Sequence, residues 1–518
     1  MYLGVQADRC PDRIAVLMED GSSATSYAEL DAASNRLAHA YDALGVGRGD
    51  VTAVMLENRV EWAHAWWAAV RSGRYITPIN WHLTPDEVEY ILANSEAKVL
   101  LTSPATREAA AEATRHLPGI TLVQIDAGSG ADARVHDYAD LVSTQPANRI
   151  AREYAGAPMF YSSGTTGRPK GIKAKLLDLP PTEVASIAYS MVTAFGMQDG
   201  DRYLNTAPLY HGAPASFTFG AHCIGATAVV MRRFDAETAL RLIQDERITY
   251  SQWVPTMFQR LLRLPDEVRN RYDLSTLRTA VHAAAPCPVE VKRAMIEWLG
   301  PILLEYYGAT ETGATFITSQ EWLDRPGSVG RSWSPNTKMA ILDIETKRHL
   351  GPNEEGLVYF NQVAAHQVEY YKDPEKTAAM YYEGMATAGD VGYVDDDGYL
   401  YLTDRLTNMI NSGGVNIYPQ EIEDCLSSHP AVQDVAVFGV PNQEFGEEVK
   451  AVIQLMPGEP AGDELVESLK AHCRARIAGF KIPRSFDFAD DLPRAENGKL
   501  YKRRLREQYW AGHQTRIL

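Results

Sequence analysis

Cysteine is scarce and scattered in this chain: five residues (Cys10, Cys223, Cys287, Cys425, Cys473), odd in number and without a C-x-x-C pair. That pattern argues against both a structural zinc site and a disulfide framework. Basic residues are also short, 50 Lys and Arg against 67 Asp and Glu, for a net charge of −17. Nothing basic clusters to offset the excess, so nucleic acid and anionic membrane surfaces are poor partners. A local basic pocket for an anionic cofactor remains compatible with it. No apolar run is long enough to cross a bilayer, and neither a low-complexity tract nor an internal repeat is present. The start, Met1-Tyr2-Leu3-Gly4-Val5-Gln6-Ala7-Asp8-Arg9, lacks the charged-then-apolar order of a signal peptide. The expectation is a cytoplasmic protein.

What is there is an alternation of periods. At 518 residues the chain is long enough for at least two domains. Helical spacing over 26–44, 61–72 and 85–93 alternates with strand-like runs at 51–56, 75–79 and 98–102, with Thr84 placed to cap the third helix. The pattern resumes with a strand at 226–231, a helix at 236–246, a strand at 250–254 and a helix at 289–299. Such alternation predicts a mostly parallel sheet covered by helices, an α/β fold. Near 356–360 and 391–402 the pattern turns antiparallel, with Asp395-Asp396-Asp397-Gly398 as a hairpin turn. A small α+β unit follows: helices at 420–427 and 463–477, strands at 435–440, 449–455 and 485–488. The boundary is expected close to Asp404, dividing 1–404 from 405–518, and the tail at 508–518 carries no readable signal.

Five stretches carry chemistry. Tyr161-Ser162-Ser163-Gly164-Thr165-Thr166-Gly167-Arg168-Pro169-Lys170-Gly171 follows a short apolar run. Its glycines let backbone approach an anion, its hydroxyls donate hydrogen bonds, and Arg168 and Lys170 supply charge: a phosphate cradle, or a polar surface turn. It is not the P-loop, because Lys170 follows a proline and Gly171-Ile172-Lys173 does not open a helix. Glu305-Tyr306-Tyr307-Gly308-Ala309-Thr310-Glu311 offers an aromatic face, a hydroxyl and a carboxylate suited to Mg²⁺, unless Glu311 is a solvated loop residue. Asp390, between Gly389 and Val391-Gly392, suits a ribose diol or an Asx-turn. Residues 405–417 read as a glycine-hinged hairpin running into a proline-started helix at Pro419. Asn497-Gly498 holds Lys499 at a loop tip, where a lysine is usually a solvated charge.

In this order the set resembles the adenylate-forming superfamily of acyl-CoA synthetases, peptide-synthetase adenylation domains and beetle luciferases, over about residues 11–505. The resemblance implies a large N-terminal AMP-binding domain with a small barrel-like subdomain and a mobile C-terminal domain hinged at Asp404. It implies that Ser162, Ser163, Gly164, Thr165, Thr166, Gly167 and Lys170 wrap the β- and γ-phosphates of ATP. Tyr307, flanked by Tyr306 and Gly308, would stack on adenine, while Ala284 and Ala285 line the adenine and acyl sites. Thr310 would touch the α-phosphate, Glu311 with Thr166 would hold Mg²⁺, and Asp390 with Arg405 would take the ribose hydroxyls. Lys499 matches the catalytic lysine, which bridges the acyl carboxylate and α-phosphate until the small domain turns. Ser412, Gly413 and Gly414 would then shape a channel for the thiol of coenzyme A. Many relatives carry lysines where this hairpin has Thr407 and Asn411, a subclass difference that bears on CoA contacts.

The substrate is expected to be a hydrophobic carboxylic acid. Amino-acid-activating relatives hold the substrate ammonium with an aspartate in the segment matching 208–219, yet no acidic residue occurs between Tyr203 and Val230. An unpaired ammonium there would be costly to bury. His211 matches a position near the acyl carboxylate and is equally readable as a packed ring. Phe217, Phe219, Trp253 and Met257 are candidate acyl-pocket walls, with core packing at least as good a reading of each. A medium- or long-chain fatty acid is favoured; an aryl or cinnamyl acid, or a polycyclic steroid- or terpenoid-like acid, also fits. No carrier domain follows the small domain, which favours free CoA as acceptor over a carrier protein. A nucleotide-binding regulator without catalysis is disfavoured by Lys499, Glu311 and the full phosphate loop. A homodimer is left open.

Overall fold

A computed structural model describes residues 2–127, 134–162, 169–184, 186–309, 311–332, 337–361, 368–412, 415–494 and 500–510. The chain divides into two compact units, the first Met1–Ala283, Arg293–Glu305 and Gln362–Tyr381, the second Ala284–Lys292, Tyr306–Asn361 and Tyr382–Leu518. By packing, the small α+β module therefore shares a unit with the antiparallel strands that precede it.

The first unit is α/β, as the alternating periods predict. Strands Val135–Asp137, Thr121–Gln124, Ala97–Thr102, Val51–Met55, Tyr75–Pro78 and Ala157–Pro158 lie side by side in one parallel sheet. A second parallel set runs Ile14–Met18, Thr227–Val230, Arg202–Asn205, Tyr250–Trp253, Thr279–His282 and Leu303–Gly308. Strands buried on both faces need apolar residues at successive positions, and all five residues of Val51–Met55 are buried. Helix Pro85–Ser95 begins where the sequence places its cap: the Thr84 side chain accepts from the Glu87 N–H, and Glu87 accepts from the Thr84 N–H.

One long helix, Gly212–Ile224, is absent from the sequence reading because Gly212, Pro214 and Gly220 disguise it. Pro214 is tolerated in the first turn, where no intrahelical acceptor is needed. Gly225 closes the helix at φ 87°. A Cβ on Gly220 would stand 2.4 Å from the Ala188 carbonyl, so this glycine permits close approach of helix Ile187–Ala194.

In the second unit the antiparallel turn of the pattern is realised as a ladder. Asp390–Val394 pairs with Leu400–Arg405 and with Gly356–Asn361, which pairs in turn with Met339–Leu342. The small module pairs Val432–Asn442 with Gly446–Leu455 in a long hairpin, carries Ser485–Phe488 parallel to it, and packs helices Pro419–Ser427 and Asp463–Arg474 around Ile422, Leu426, Val437, Ile453 and Leu469. Helix Lys502–Trp510 returns to this hairpin, Trp510 Nε1 donating to the Gly439 carbonyl.

Buried between these elements, Glu423 accepts from the Val437 N–H (2.6 Å) and from Lys502 Nζ (2.8 Å). Desolvation pushes its carboxyl up to about 7 although Lys502 pulls the other way; Asp404 adds to the rise. Neighbouring Asp424 is pushed up to about 6 by the same burial. A carboxyl raised on folding leaves the native state holding more protons than the unfolded chain between the two values. Its contribution is therefore favourable below pH 4.5 and is lost as pH rises towards about 7. Glu423→Gln is expected to flatten part of that slope in urea denaturation measured from pH 4.5 to 7.5; an unchanged slope would refute the assignment.

Candidate active site

The glycine-rich stretch is the connection of a hairpin. Phe160–Ser162 pairs antiparallel with Lys170–Ala174, Ser162 opposite Lys170 and Tyr161 opposite Gly171. Lys170 therefore opens a strand and not a helix, as its surroundings predict. Ser163, Gly164, Thr165, Thr166 and Gly167 lie outside the described residues, as do Thr310, Gly413, Gly414 and Lys499. Strand Val368–Tyr370 flanks the hairpin, and the Lys170 ammonium stands 4.8 Å from the Tyr370 ring centre, a cation–π contact. The Tyr161 phenol, one of the hydroxyls counted for the cradle, instead donates to Asn94 Oδ1 at 2.6 Å. Gly171 makes room for that ring: a Cβ there would meet Tyr161 at 2.9 Å.

His211 and the residues that the sequence reading named as acyl-pocket walls all lie in the first unit. His211 is the residue before helix Gly212–Ile224, half-buried, with its ring 4.4 Å from that of Tyr210. Phe217 is fully buried among Phe195, Tyr203 and Tyr250, and Phe219 stacks on Trp66 at 4.3 Å. The Trp253 indole donates to Ser251 Oγ at 2.6 Å, and Thr206 Oγ1 donates to Met257 Sδ at 3.3 Å. His282 and Glu305, register partners on adjacent strands, form a buried pair (Nε2 to Oε2, 3.7 Å) against the edge of Phe258. Sequence reasoning passed over that pair, because the two residues meet only through the strand crossover.

Two residues past strand Thr279–His282 comes Ala284, with φ +77°. A side chain in that region costs on the order of 1–2 kcal/mol, which the surroundings must offset. Ala285 follows it.

In the second unit Tyr307, Asp390 and Arg405 come together. Tyr307 donates to Asp390 Oδ2 at 2.6 Å, and Arg405 Nε donates to Asp390 Oδ1 at 3.0 Å. The carboxylate is buried, and each oxygen already has one partner. Burial, and after it the Asp390 charge, hold the Tyr307 phenol well above its ordinary value. Asp390 in turn raises the Arg405 guanidinium. Asp390 does not make the Asx-turn that its glycine neighbours allow. The turn belongs to Thr387, whose Oγ1 accepts from the Gly389 N–H, and Asp390 opens a strand. Tyr306 is half-buried and its phenol is raised by burial; Glu311 is buried. Gly308 is exposed but runs close to the next strand, a Cβ there standing 3.0 Å from Ala314 Cβ. Among the described residues no three or more His, Cys, Asp or Glu converge as a metal cage.

Asp404 is a junction. Its Oδ1 accepts from its neighbour's backbone N–H, that of Arg405 (2.6 Å), and from Asn408 Nδ2 (2.9 Å). Its Oδ2 accepts from the Gln420 N–H (2.9 Å) in the first turn of helix Pro419–Ser427, whose own N-cap residue Tyr418 makes no side-chain cap. Between them lies the expected hairpin, Ile410–Ser412 paired with Val415–Ile417. Residues 495–499 are bracketed by an Arg494–Leu500 bridge and by the Tyr501 N–H donating to the Pro493 carbonyl at 2.8 Å.

Comparison with known sequences decides the family. The AMP-binding enzyme pattern matches residues 3–366, and the AMP-binding enzyme C-terminal domain pattern matches residues 421–499. The chain belongs to the AMP-binding enzyme family. Its resemblance to adenylate-forming acyl-CoA synthetases is borne out. It is 32% identical to the long-chain-fatty-acid–CoA ligase FadD13 of Mycobacterium tuberculosis, over 94% of this chain and 93% of that protein. It is 30% identical to the fatty acid–[acyl-carrier-protein] ligase ScoC of Streptomyces coeruleorubidus, over 98% and 95% respectively. Among solved structures, the o-succinylbenzoate CoA synthetase MenE of Bacillus subtilis, in complex with its acyl-adenylate intermediate, superposes with a TM-score of 0.82 at 27% identity, covering 97% of each chain.

Asp390→Ala leaves a buried phenol and a guanidinium without their acceptor. Hydrogen bonds to charged groups contribute roughly 1.5–3 kcal/mol each. The variant is expected to lose about 2 kcal/mol in urea denaturation, and Asp390→Asn less, since an amide oxygen can still accept. Equal losses for both would show that a neutral acceptor cannot stand in for the carboxylate; no loss in either would show that Asp390 does not hold Tyr307 and Arg405.

Proposed function

We propose that the protein is an AMP-forming acid–CoA ligase acting on a hydrophobic carboxylic acid. The observation that carries this reading is the family match along nearly the whole chain; the buried Asp390 carboxylate, held between Tyr307 and Arg405, supports it. In the first step the acid's carboxylate oxygen attacks the α-phosphorus of ATP. The bond to the bridging oxygen breaks and pyrophosphate leaves. In the second step the CoA sulfur attacks the acyl carbon, the carbon–oxygen bond of the mixed anhydride breaks, and AMP departs.

The chain's own groups divide the work. The hairpin between Ser162 and Lys170 covers the departing pyrophosphate, with Lys170 as a supporting charge. Tyr307, beside Tyr306 and Gly308, presents its ring to adenine, and Asp390 offers its remaining lone pairs to the ribose diol while Arg405 holds the carboxylate in place. Ala284 and Ala285 line the nucleotide and acyl sites. Glu311 and Thr166 supply hard oxygen donors of the kind Mg²⁺ takes, and buried Glu311 fits that role. When bound, the cation neutralises charge on the phosphates. Thr310 contacts the α-phosphate, His211 lies towards the acyl carboxylate, and Lys499 stabilises the charge that develops between them.

The division of labour requires the part after Asp404, residues 405–518, to turn as a domain on residues 1–404. That motion exchanges Lys499 for the hairpin carrying Ser412, Gly413 and Gly414, along which the thiol enters. A fatty acid is favoured by the name that FadD13 carries. Phe217, Trp253 and Met257 are assigned to the acyl side. A second reading, loading of a carrier protein in place of CoA, is favoured by the name that ScoC carries. We place the protein in the cytoplasm, with homodimerisation open.

A panel of fatty, aryl and polycyclic acids, scored for AMP release with CoA and then with a carrier protein, tests the reading. Adenylation without any CoA thioester would move it to the second. Lys499→Ala is expected to slow adenylation by about 100- to 1,000-fold, the size of a lost transition-state donor. It should spare thioester formation from supplied acyl-adenylate; equal loss of both steps would remove Lys499 from its assigned role.

A further inference from the structure

Asn58 lies in the first unit, three residues beyond strand Val51–Met55, where the sequence shows only a polar Glu-Asn-Arg loop. The side chain is buried, 5% exposed. Its carboxamide is fully used on backbone. Nδ2 donates to the Ala207 carbonyl (3.1 Å) and to the Met231 carbonyl (2.8 Å), and Oδ1 accepts from the Leu209 N–H (2.9 Å). Ala207 and Met231 sit just past the carboxyl ends of Arg202–Asn205 and Thr227–Val230, neighbouring strands of the second parallel set. One side chain from the first sheet thus joins the carboxyl ends of two strands in the other. Ligands of open parallel sheets bind beyond those ends.

The base of this tie is itself fixed. The Trp62 indole donates to the Leu56 carbonyl at 3.2 Å, Arg59 bridges Glu57 (3.1 Å) and Glu61 (2.7 Å), and Ser103 Oγ donates to Glu57. From the far side Asn205 Nδ2 also donates to the Ala207 carbonyl, at 2.8 Å. The segment so held turns once more, the His211 N–H donating to the Pro208 carbonyl at 3.2 Å, and delivers His211 to the start of helix Gly212–Ile224.

We infer that Asn58 is a positioning residue of the acid-activating site, fixing the 207–211 segment and with it the bearing of His211. This rests on the ligase reading above. Three donor–acceptor requirements meet there in a buried interior: two carbonyls need a donor and one N–H needs an acceptor. Alanine at 58 leaves the Leu209 N–H and the Met231 carbonyl without this partner, and buried backbone groups recover partners by moving. The segment shifts, and reactions that depend on near-attack geometry are sensitive to shifts of an ångström.

The test compares Asn58→Ala with Leu242→Ala, a core truncation on helix Ala236–Asp245. Both full-length variants are studied below their melting transitions. Amide hydrogen exchange over 205–213 is expected to quicken about tenfold in Asn58→Ala and to stay at wild-type rates in Leu242→Ala. With an acid the wild type accepts, pyrophosphate exchange should lose about 10- to 100-fold in kcat/KM for the acid in Asn58→Ala, with KM for ATP unchanged. Leu242→Ala should keep both constants. Unchanged exchange over 205–213 in Asn58→Ala, or intact acid kinetics despite faster exchange, overturns the inference; so does an equal kinetic loss in Leu242→Ala. A wild-type chain that adenylates no acid would instead overturn the ligase reading, while the exchange measurement still decides whether Asn58 holds the segment.

Discussion

The carboxylate of Asp404 carries an unusual share of the second unit's organisation. With two oxygens it satisfies the N–H of Arg405, the Asn408 amide and the N–H of Gln420. The first of these ends the ladder strand Leu400–Arg405 in a fixed direction, and that direction aims Arg405 at Asp390. The last substitutes for the side-chain cap that Tyr418 lacks, and so seats the first helix of the small module. A negative charge at a helix N-terminus is also favourable on its own account. The pairing of Arg405 with Asp390 and the placement of the module thus share a single acid.

Polarity inside this protein is concentrated where chain segments must be held, and the carboxyl ends of parallel strands are the chief example. Asn58, Asn205 and Thr206 all bond backbone carbonyls there, Thr206 Oγ1 reaching the Gln252 carbonyl at 2.7 Å. Deep apolar packing by Phe217, Trp253 and Phe258 surrounds them. In a medium of low polarity each such bond is strong and each omission costly, so these polar groups fix loop positions that apolar contacts alone would leave to slide.

Local signals were the legible ones. Thr84 announces the cap of its helix, the alternating periods announce the parallel sheets, and Pro419 announces the start of its helix. The family was legible through motif order, from the glycine-rich stretch to the lysine near the end. What stayed hidden depends on distance in the chain. Asn58 meets partners 149 to 173 positions away, and His282 finds Glu305 only once two strands lie side by side. Helix Gly212–Ile224 was hidden for another reason: it is apolar on nearly every face, so no amphipathic stripe marks it, and its glycine at 220 serves a neighbour and not its own propensity. Asp390 misled in the opposite direction, since the glycines beside it suggested a turn that Thr387 makes.

The final helix and Arg494 are anchored to the same hairpin. Arg494 grips Asp434 through paired bonds on one side of residues 495–499, and on the other Lys502 enters Glu423, Tyr509 reaches Asp487 and Trp510 reaches Gly439. The chain leaves the long hairpin at Arg494 and is brought back to it from Lys502 onward, so the described residues on either side are tied to one body. Arg494 and the final helix therefore keep their separation for as long as that body stays folded.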